Sequence, residues 1–181
     1  MVDVLASNRL FTATNTNLKA ETGINKEVGF KYETKNMLGA DSLGFSFKVF
    51  DTTIDDYIVT TWTNSTTALI ANAGTLDIQG FESSFAYAKD TFNALVTYSK
   101  SDSKFKNTGL STQREPGDSL SINLDYAVMK NLSLSWDSLF VMKEESKYIA
   151  AQNIKEAYDV HDIAVKWKPH SAKGLTLIAG I

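Results

Sequence analysis

Ser119-Leu120-Ser121-Ile122-Asn123-Leu124-Asp125-Tyr126 alternates polar and apolar side chains without a break. Successive side chains of an extended chain point to opposite faces, so this run is a strand with one apolar and one polar side. The same pattern recurs in Val28-Phe30-Tyr32, in Phe81-Phe85-Tyr87 with Ser83 between, and in Ile163-Val165-Trp167. Each stretch closes on an aromatic residue shortly before turn-forming sequence. Aromatic rings held at one height on a β-wall mark a membrane–water boundary. The reading is an all-β, antiparallel, up-and-down transmembrane β-barrel wall, with its apolar side in lipid and its function in the loops.

Outward from these stretches, eight strands are predicted: 25–34, Leu43 through Val49 and on toward Trp62, 72–88, Phe92–Tyr98, 119–127, Leu132–Trp136, 158–168, and a last one after Gly174. Within 72–88 the apolar parity changes, since Leu76 and Ile78 are even whereas Phe81, Phe85 and Tyr87 are odd. A β-bulge at Gly80 is the expected cause. Short turns are expected at Asn36–Ser42, Lys89-Asp90, Met129–Asn131 and Pro169–Gly174. Longer polar connections are expected around Asn64–Thr67, at Ser101–Asp118 and at Lys143–Ala157, the last with Tyr148-Ile149-Ala150-Ala151 as a candidate helical turn. Short and long connections therefore alternate, as periplasmic turns and outer loops do. On the polar side, Ser119, Ser121, Asn123, Asp125, Ser133, Ser135 and Asp137 are expected to face a wet interior. There a charge costs little, whereas Lys or Arg facing lipid at the midplane costs roughly 2–4 kcal/mol. A soluble β-sandwich alternates in the same way; the aromatic level and the loop asymmetry weigh against it.

The 181 residues carry a net charge of -3 and no basic tract, which argues against a nucleic-acid partner. No run of about 18 apolar residues exists to make a transmembrane helix. The chain has no cysteine, so disulfides, thiolate metal sites and cysteine nucleophiles are excluded. Met1-Val2-Asp3 lacks the basic start and apolar core of an export signal, and Leu175–Ile181 reads as a strand cut before its turn. The expectation is a piece of a larger protein.

No residue pattern indicates catalysis. There is no Gly-x-Ser-x-Gly elbow to orient a serine beside His161-Asp162. Asp55 and Asp56 are adjacent, so on a strand they point to opposite faces and cannot pair as acid and base. Glu144-Glu145 reads as solvated charge rather than a Ca²⁺ site, and no metal site is expected. His170 falls in a turn with no assigned role, and Asn64-Ser65-Thr66 is an incidental glycosylation pattern. The candidate contacts for an anionic ligand, or for lipopolysaccharide phosphates, are Lys104, Lys106 and Arg114 in the long loop. His161 is the fourth candidate; its alternative is an interfacial histidine bonded to Asp159 or Asp162.

Asn15-Thr16-Asn17-Leu18-Lys19-Ala20-Glu21-Thr22, followed by Lys26-Glu27-Val28-Gly29-Phe30-Lys31-Tyr32, resembles a box of the TonB-dependent outer-membrane receptors. The usual form is Asn-Pro-Asn-Leu-x-Pro-Glu-Thr and then Glu-x-Gly; Thr16 and Ala20 stand where the prolines usually are. Ile54-Asp55-Asp56-Tyr57-Ile58, Asn72-Ala73-Gly74 and Ile78-Gln79-Gly80-Phe81-Glu82 resemble further elements in family order. Pro116-Gly117-Asp118 and Tyr158-Asp159-Val160-His161-Asp162 resemble the haem and haemoglobin branch, although neither His161 nor His170 precedes the box, where that branch has a haem-ligating histidine.

The resemblance implies that residues 1–181 are part of a receptor barrel of about 22 strands, with the plug domain and remaining strands lying outside the chain. It implies an active transporter in the bacterial outer membrane, not an enzyme, that binds an extracellular iron carrier (haem or a ferric siderophore) and imports it with TonB-coupled energy. The implied partners are outer-membrane lipid, lipopolysaccharide, the carrier and, through the plug, the TonB complex. No covalently bound cofactor is implied. The competing reading is a complete small eight-stranded outer-membrane barrel with a structural or adhesion role.

Overall fold

The computed structural model describes residues 15–62, 68–112, 117–145, 155–172 and 174–181. The strands are β1 (Thr22–Met37), β2 (Ala40–Asp55), β3 (Ile58–Trp62), β4 (Ala68–Asn72), β5 (Leu76–Lys89), β6 (Phe92–Phe105), β7 (Ser119–Met129), β8 (Leu132–Val141), β9 (Tyr158–Trp167) and β10 (Leu177–Gly180). Eight of them form one antiparallel sheet in the order β1-β2-β5-β6-β7-β8-β9-β10, and β3 and β4 form a separate two-stranded sheet. Among the described residues β1 and β10 each have a neighbour on one side only, so the sheet is open, as part of a larger barrel would be.

Register shows which side chains share a face. Phe30 pairs with Phe47 and Tyr32 with Phe45, and Phe45 in turn pairs with Phe85. The row runs on through Val96, Ile122, Ser138 and His161. Phe30, Phe47, Phe81 and Tyr98 form a chain of ring contacts with centroids 5.6–6.3 Å apart. Within the band from Val28 to Tyr32 on β1, Leu43 to Val49 on β2, Phe81 to Tyr87 on β5, Leu120 to Tyr126 on β7, Leu132 to Phe140 on β8 and Ile163 to Trp167 on β9, every charged residue falls on the opposite face. These are Lys31, Lys48, Glu82, Asp125, Asp137 and Lys166. Ser119, Ser121, Asn123, Ser133 and Ser135 lie on that polar side too, as expected.

No described element packs on the apolar face. Among the described residues only Ala40 and Leu76 are buried hydrophobics, while Phe30, Tyr32, Phe85, Ile163 and Trp167 are all more than 40% exposed. Phe47, Ile122, Leu124 and Trp136 are half-buried. The chain exposes 12942 Å², against about 8,700 Å² expected for a compact globule of its mass. A β-sandwich would have sealed these side chains between its layers.

Several sequence expectations need correction. β1 runs further than 25–34, because Leu38 and Gly39 alone make the turn: Met37 pairs with Ala40, and both turn residues have positive φ. Two residues of that kind match the twist of a hairpin. Tyr32 therefore stands deeper than the turn, not at its edge. The second predicted strand does not continue to Trp62, since Asp56 adopts φ 54° and breaks it at Asp55. The predicted strand 72–88 is likewise split, with Asn72 ending β4 and Leu76 starting β5.

Nor is there a bulge at Gly80, which stays in register with Phe50 on one side and Ser101 on the other. A Cβ at Gly80 would sit 2.5 Å from Cζ of Phe50 and 2.2 Å from the Lys100 carbonyl oxygen. Glycine is there to let the Phe50 ring lie across the strand. Leu76 and Ile78 differ in parity because they face the other side, where Leu76 pairs with Ile54 and Phe105 and is 1% exposed. One register shift does occur, at Ala127/Met129 in β7. Asn64–Thr67 and Tyr148–Ala151 lie outside the described residues.

Candidate functional site

The polar face is hollowed. A depression of about 840 Å³ is lined by Glu27, Lys31, Ser46, Lys48, Glu82, Ser84, Thr97 and Ser99, among others. Strand parity brings these residues together: Gly29 of β1 and Glu82 of β5 flank Lys48 of β2. Its ammonium lies 3.2 Å from Glu27 and 3.1 Å from Glu82. Ser46 and Ser84 share a hydrogen bond of 2.6 Å beside it. Further along the face, Asn123 donates to Asp137 at 2.6 Å. The two carboxylates and one ammonium leave the cluster one negative charge. Such a surface can bind a cationic side chain or hold water, but it offers no activated nucleophile. Among the described residues no cluster suits a metal ion.

The predicted basic contacts are distributed differently from expectation. Lys104 is not in a loop; it belongs to β6, opposite Asp77 of β5. Lys106 lies just beyond that strand and pairs with the same Asp77 carboxylate at 3.2 Å. The structure thus brings Lys104 and Lys106 to one place, on the apolar side's polar rim, not over the hollow. Arg114 lies outside the described residues. The end of the connection is tied by Asp118, which accepts from Tyr98 Oη at 2.7 Å and from Lys100 at 3.2 Å. Beyond β8, Lys143 pairs with Glu145 at 2.8 Å, which raises the lysine pKa and lowers that of the glutamate. Glu144 bridges to Lys155 through its backbone.

His161 shares the face of Trp136 and Phe140. Its ring stacks on Trp136 at 5.9 Å and meets Phe140 edge-on at 5.4 Å. Nε2 lies 2.9 Å from Asp159, and Nδ1 lies 2.6 Å from Ser138 Oγ. The order Asp–His–Ser is that of a hydrolytic triad, but Ser138 is 3% exposed beneath the imidazole and its neighbours. β8 and β9 pair without interruption around it, so the strand amides are already committed to the ladder. Without access or an oxyanion hole this chain of bonds is a strut. Asp159, not Asp162, is the carboxylate partner.

Reading by residue type passed over Glu27, Lys48 and Glu82. The signal for them was parity: once Phe30, Phe47 and Phe81 define one face, these three charges must share the other. It also passed over the side chains that hold β3 and β4. Asn72 accepts from the Lys19 amide at 2.9 Å and donates to the Lys19 carbonyl at 3.0 Å.

Comparison with known proteins agrees with this architecture. Residues 4–181 match the family model described as TonB dependent receptor-like, beta-barrel. The chain is 26% identical over 178 residues to a hemin receptor of Yersinia enterocolitica, covering 90% of this chain and 26% of that one. The FrpB iron transporter of Neisseria meningitidis (F3-3 variant) superimposes with a TM-score of 0.70 at 22% identity, over 95% of this chain and 28% of that chain. The siderophore receptor PirA of Acinetobacter baumannii gives 0.73 at 19% identity, over 95% and 28%. The chain thus spans about a quarter of the length of the proteins it resembles.

Proposed function

Because the chain belongs to the TonB-dependent receptor-like β-barrel family, a bacterial outer-membrane family serving iron, siderophore and haem uptake, we propose that it is wall from an active importer of an extracellular iron carrier. The carrier is haem or a ferric siderophore, and import draws on TonB-coupled energy. The observation that carries this reading is the uncovered apolar band on one face, backed by a hollow, charged face on the other. Lipid is the solvent that suits the first face, and a wet, plugged lumen suits the second.

On this reading the long connections face outward and meet the carrier, and the short turns face the periplasm. Glu27, Lys48 and Glu82 line the lumen at the depth of Phe47. A plug can seat a lysine or arginine between the two carboxylates, held by pairs weak enough to part under a pull. Lys104 and Lys106 stand on the outer rim, where lipopolysaccharide phosphates are the nearest anions and an acidic carrier approaching the mouth is the alternative. His161 sits lower on the same side, among aromatic rings suited to the interface. The chemistry is recognition and gating. A complete eight-stranded barrel is disfavoured, because β1 and β10 do not meet.

The test is growth. The whole receptor, expressed in a Gram-negative strain stripped of its own haem and siderophore receptors, is expected to restore growth on haemin or on a ferric siderophore as sole iron source. Deleting TonB is expected to abolish it. Growth that survives TonB loss, or no growth on any carrier with the receptor folded in the outer membrane, overturns the proposal.

A further inference from the structure

The β3–β4 hairpin is set off from the main sheet by a sharp bend. Asp56 (φ 54°) and Gly74 (φ 103°) face each other across the ribbon in left-handed conformations, and Tyr57 bonds through its backbone to Gly74 and Ala73 between them. A non-glycine residue in that region is strained. Here the strain is met by a partner, since Asn72 Nδ2 donates to the Asp56 carbonyl. The same Asn72 amide holds the Lys19 backbone in both directions. The Asn72 oxygen and both of its N–H donors are thus engaged.

Three more contacts join the same two segments. Glu21 accepts from the Ile58 amide. Asn15 donates to the Ile70 carbonyl at 3.1 Å. The Lys19 ammonium lies 3.8 Å from the Asp56 carboxylate. Asn15 also folds its own stretch by accepting from the Asn17 amide at 3.0 Å. Residues 15–21 belong to no strand, so these side chains carry the docking, across a sequence separation of 53 residues at Asn72–Lys19.

We propose that Asn15–Glu21 is a clamp. It docks the β3–β4 hairpin and makes the entry to β1 and the hairpin one rigid lip at the loop end of the wall. Asn72 and Glu21 are its positioning residues, and the lip sets the approach of the iron carrier. This last clause rests on the transport reading above; the clamp does not. It also gives a physical role to residues that carry the family resemblance: Asn15 and Glu21 of the first box, Asp56 of the Asp-Asp pair, and Asn72 and Gly74 of Asn-x-Gly.

The experiment uses the whole receptor in detergent, with Asn72→Ala, Asn72→Asp and Glu21→Gln. Amide exchange at Lys19 and Ile58 is measured together with equilibrium binding of haemin and of ferric enterobactin. Asn72→Ala is expected to speed exchange at both amides by about tenfold or more while β1, β2 and β5 keep their protection. Carrier binding is expected to weaken alongside. Asn72→Asp keeps the acceptor for the Lys19 amide but sets a carboxylate oxygen against the Lys19 and Asp56 carbonyls, and is expected to open both amides at least as far as alanine does. Glu21→Gln keeps an acceptor and is expected to stay close to wild type. If Asn72→Ala leaves Ile58 protected, the two segments are not one unit and the clamp is refuted. If both amides open but carrier binding is unchanged, the positioning role is refuted. A wild-type receptor that binds neither probe, with exchange behaving as expected, counts against the transport reading and leaves the clamp standing.

Discussion

Near the short turns, Phe85, Tyr87, Val96, Ile122 and Leu124 sit on one face of the sheet; near the long connections, Phe50, Ile54, Leu76, Ile78 and Phe105 sit on the other. In the first region the apolar side chains are half-open and nothing packs on them. In the second they gather under their own chain: Leu76 is sealed between Ile54 and Phe105, and Tyr57 meets Phe105 edge-on at 5.6 Å. Over the same strands the outer side turns polar, with Gln79 bonded to Asp51 and Thr53 to Asp77. One ribbon thus changes its apolar side as it passes from one solvent to the next. On the transport reading proposed above, the surroundings supply hydrocarbon to the lower region, whereas above it water lies on the outside and apolar groups must find each other inward.

The largest effect should come from breaking the lower half. In the whole receptor refolded into lipid vesicles, Val96→Lys puts a charge in the apolar band and is expected to cost about 2–4 kcal/mol in denaturant unfolding. Thr97→Lys, one residue on and facing the hollow, is expected to stay within about 0.5 kcal/mol of wild type. Equal costs would mean that the two faces meet the same medium.

Leu76→Ala tests the upper half. Its cost is expected to be about 2 kcal/mol, because a thin cluster can partly collapse around the lost volume. Limited proteolysis should show the damage confined to the connection between β2 and β5, with the apolar band below intact. The smallest effect is expected from Lys48→Met on the polar face. All three partners are about half exposed, so the same unfolding assay is expected to show little or no loss. A larger loss would mean that the triad is shut away from water in the assembled lumen.

The lower half was legible in the sequence because period-two alternation survives there: Leu120, Ile122, Leu124 and Tyr126 needed only parity. The upper half was not, because apolar residues on the second face look like a slip in the pattern. Leu76 and Ile78 were read as a bulge for that reason, although a glycine under a cross-strand ring keeps the strand continuous. The break at Asp56 was also hidden, since aspartate signals a left-handed corner far less firmly than glycine does. Lys104 reads as loop in the sequence because serine, aspartate and lysine are poor strand formers; pairing with β5 overrides that preference. The clamp around Asn72 was out of reach, as nothing in a linear reading links it to Lys19 and Asp56.

Among the described residues, β1 has no neighbour on its outer side along its 16 residues. This ladder fixes the stagger of any strand that pairs with it, and a shift of one residue there would turn side chains of the apolar face to the polar one. Recombination between related receptors is therefore constrained at this seam. A donor segment can be exchanged for Thr22 onward only if its neighbour already carries the matching offset, however well the outer loops suit a new cargo.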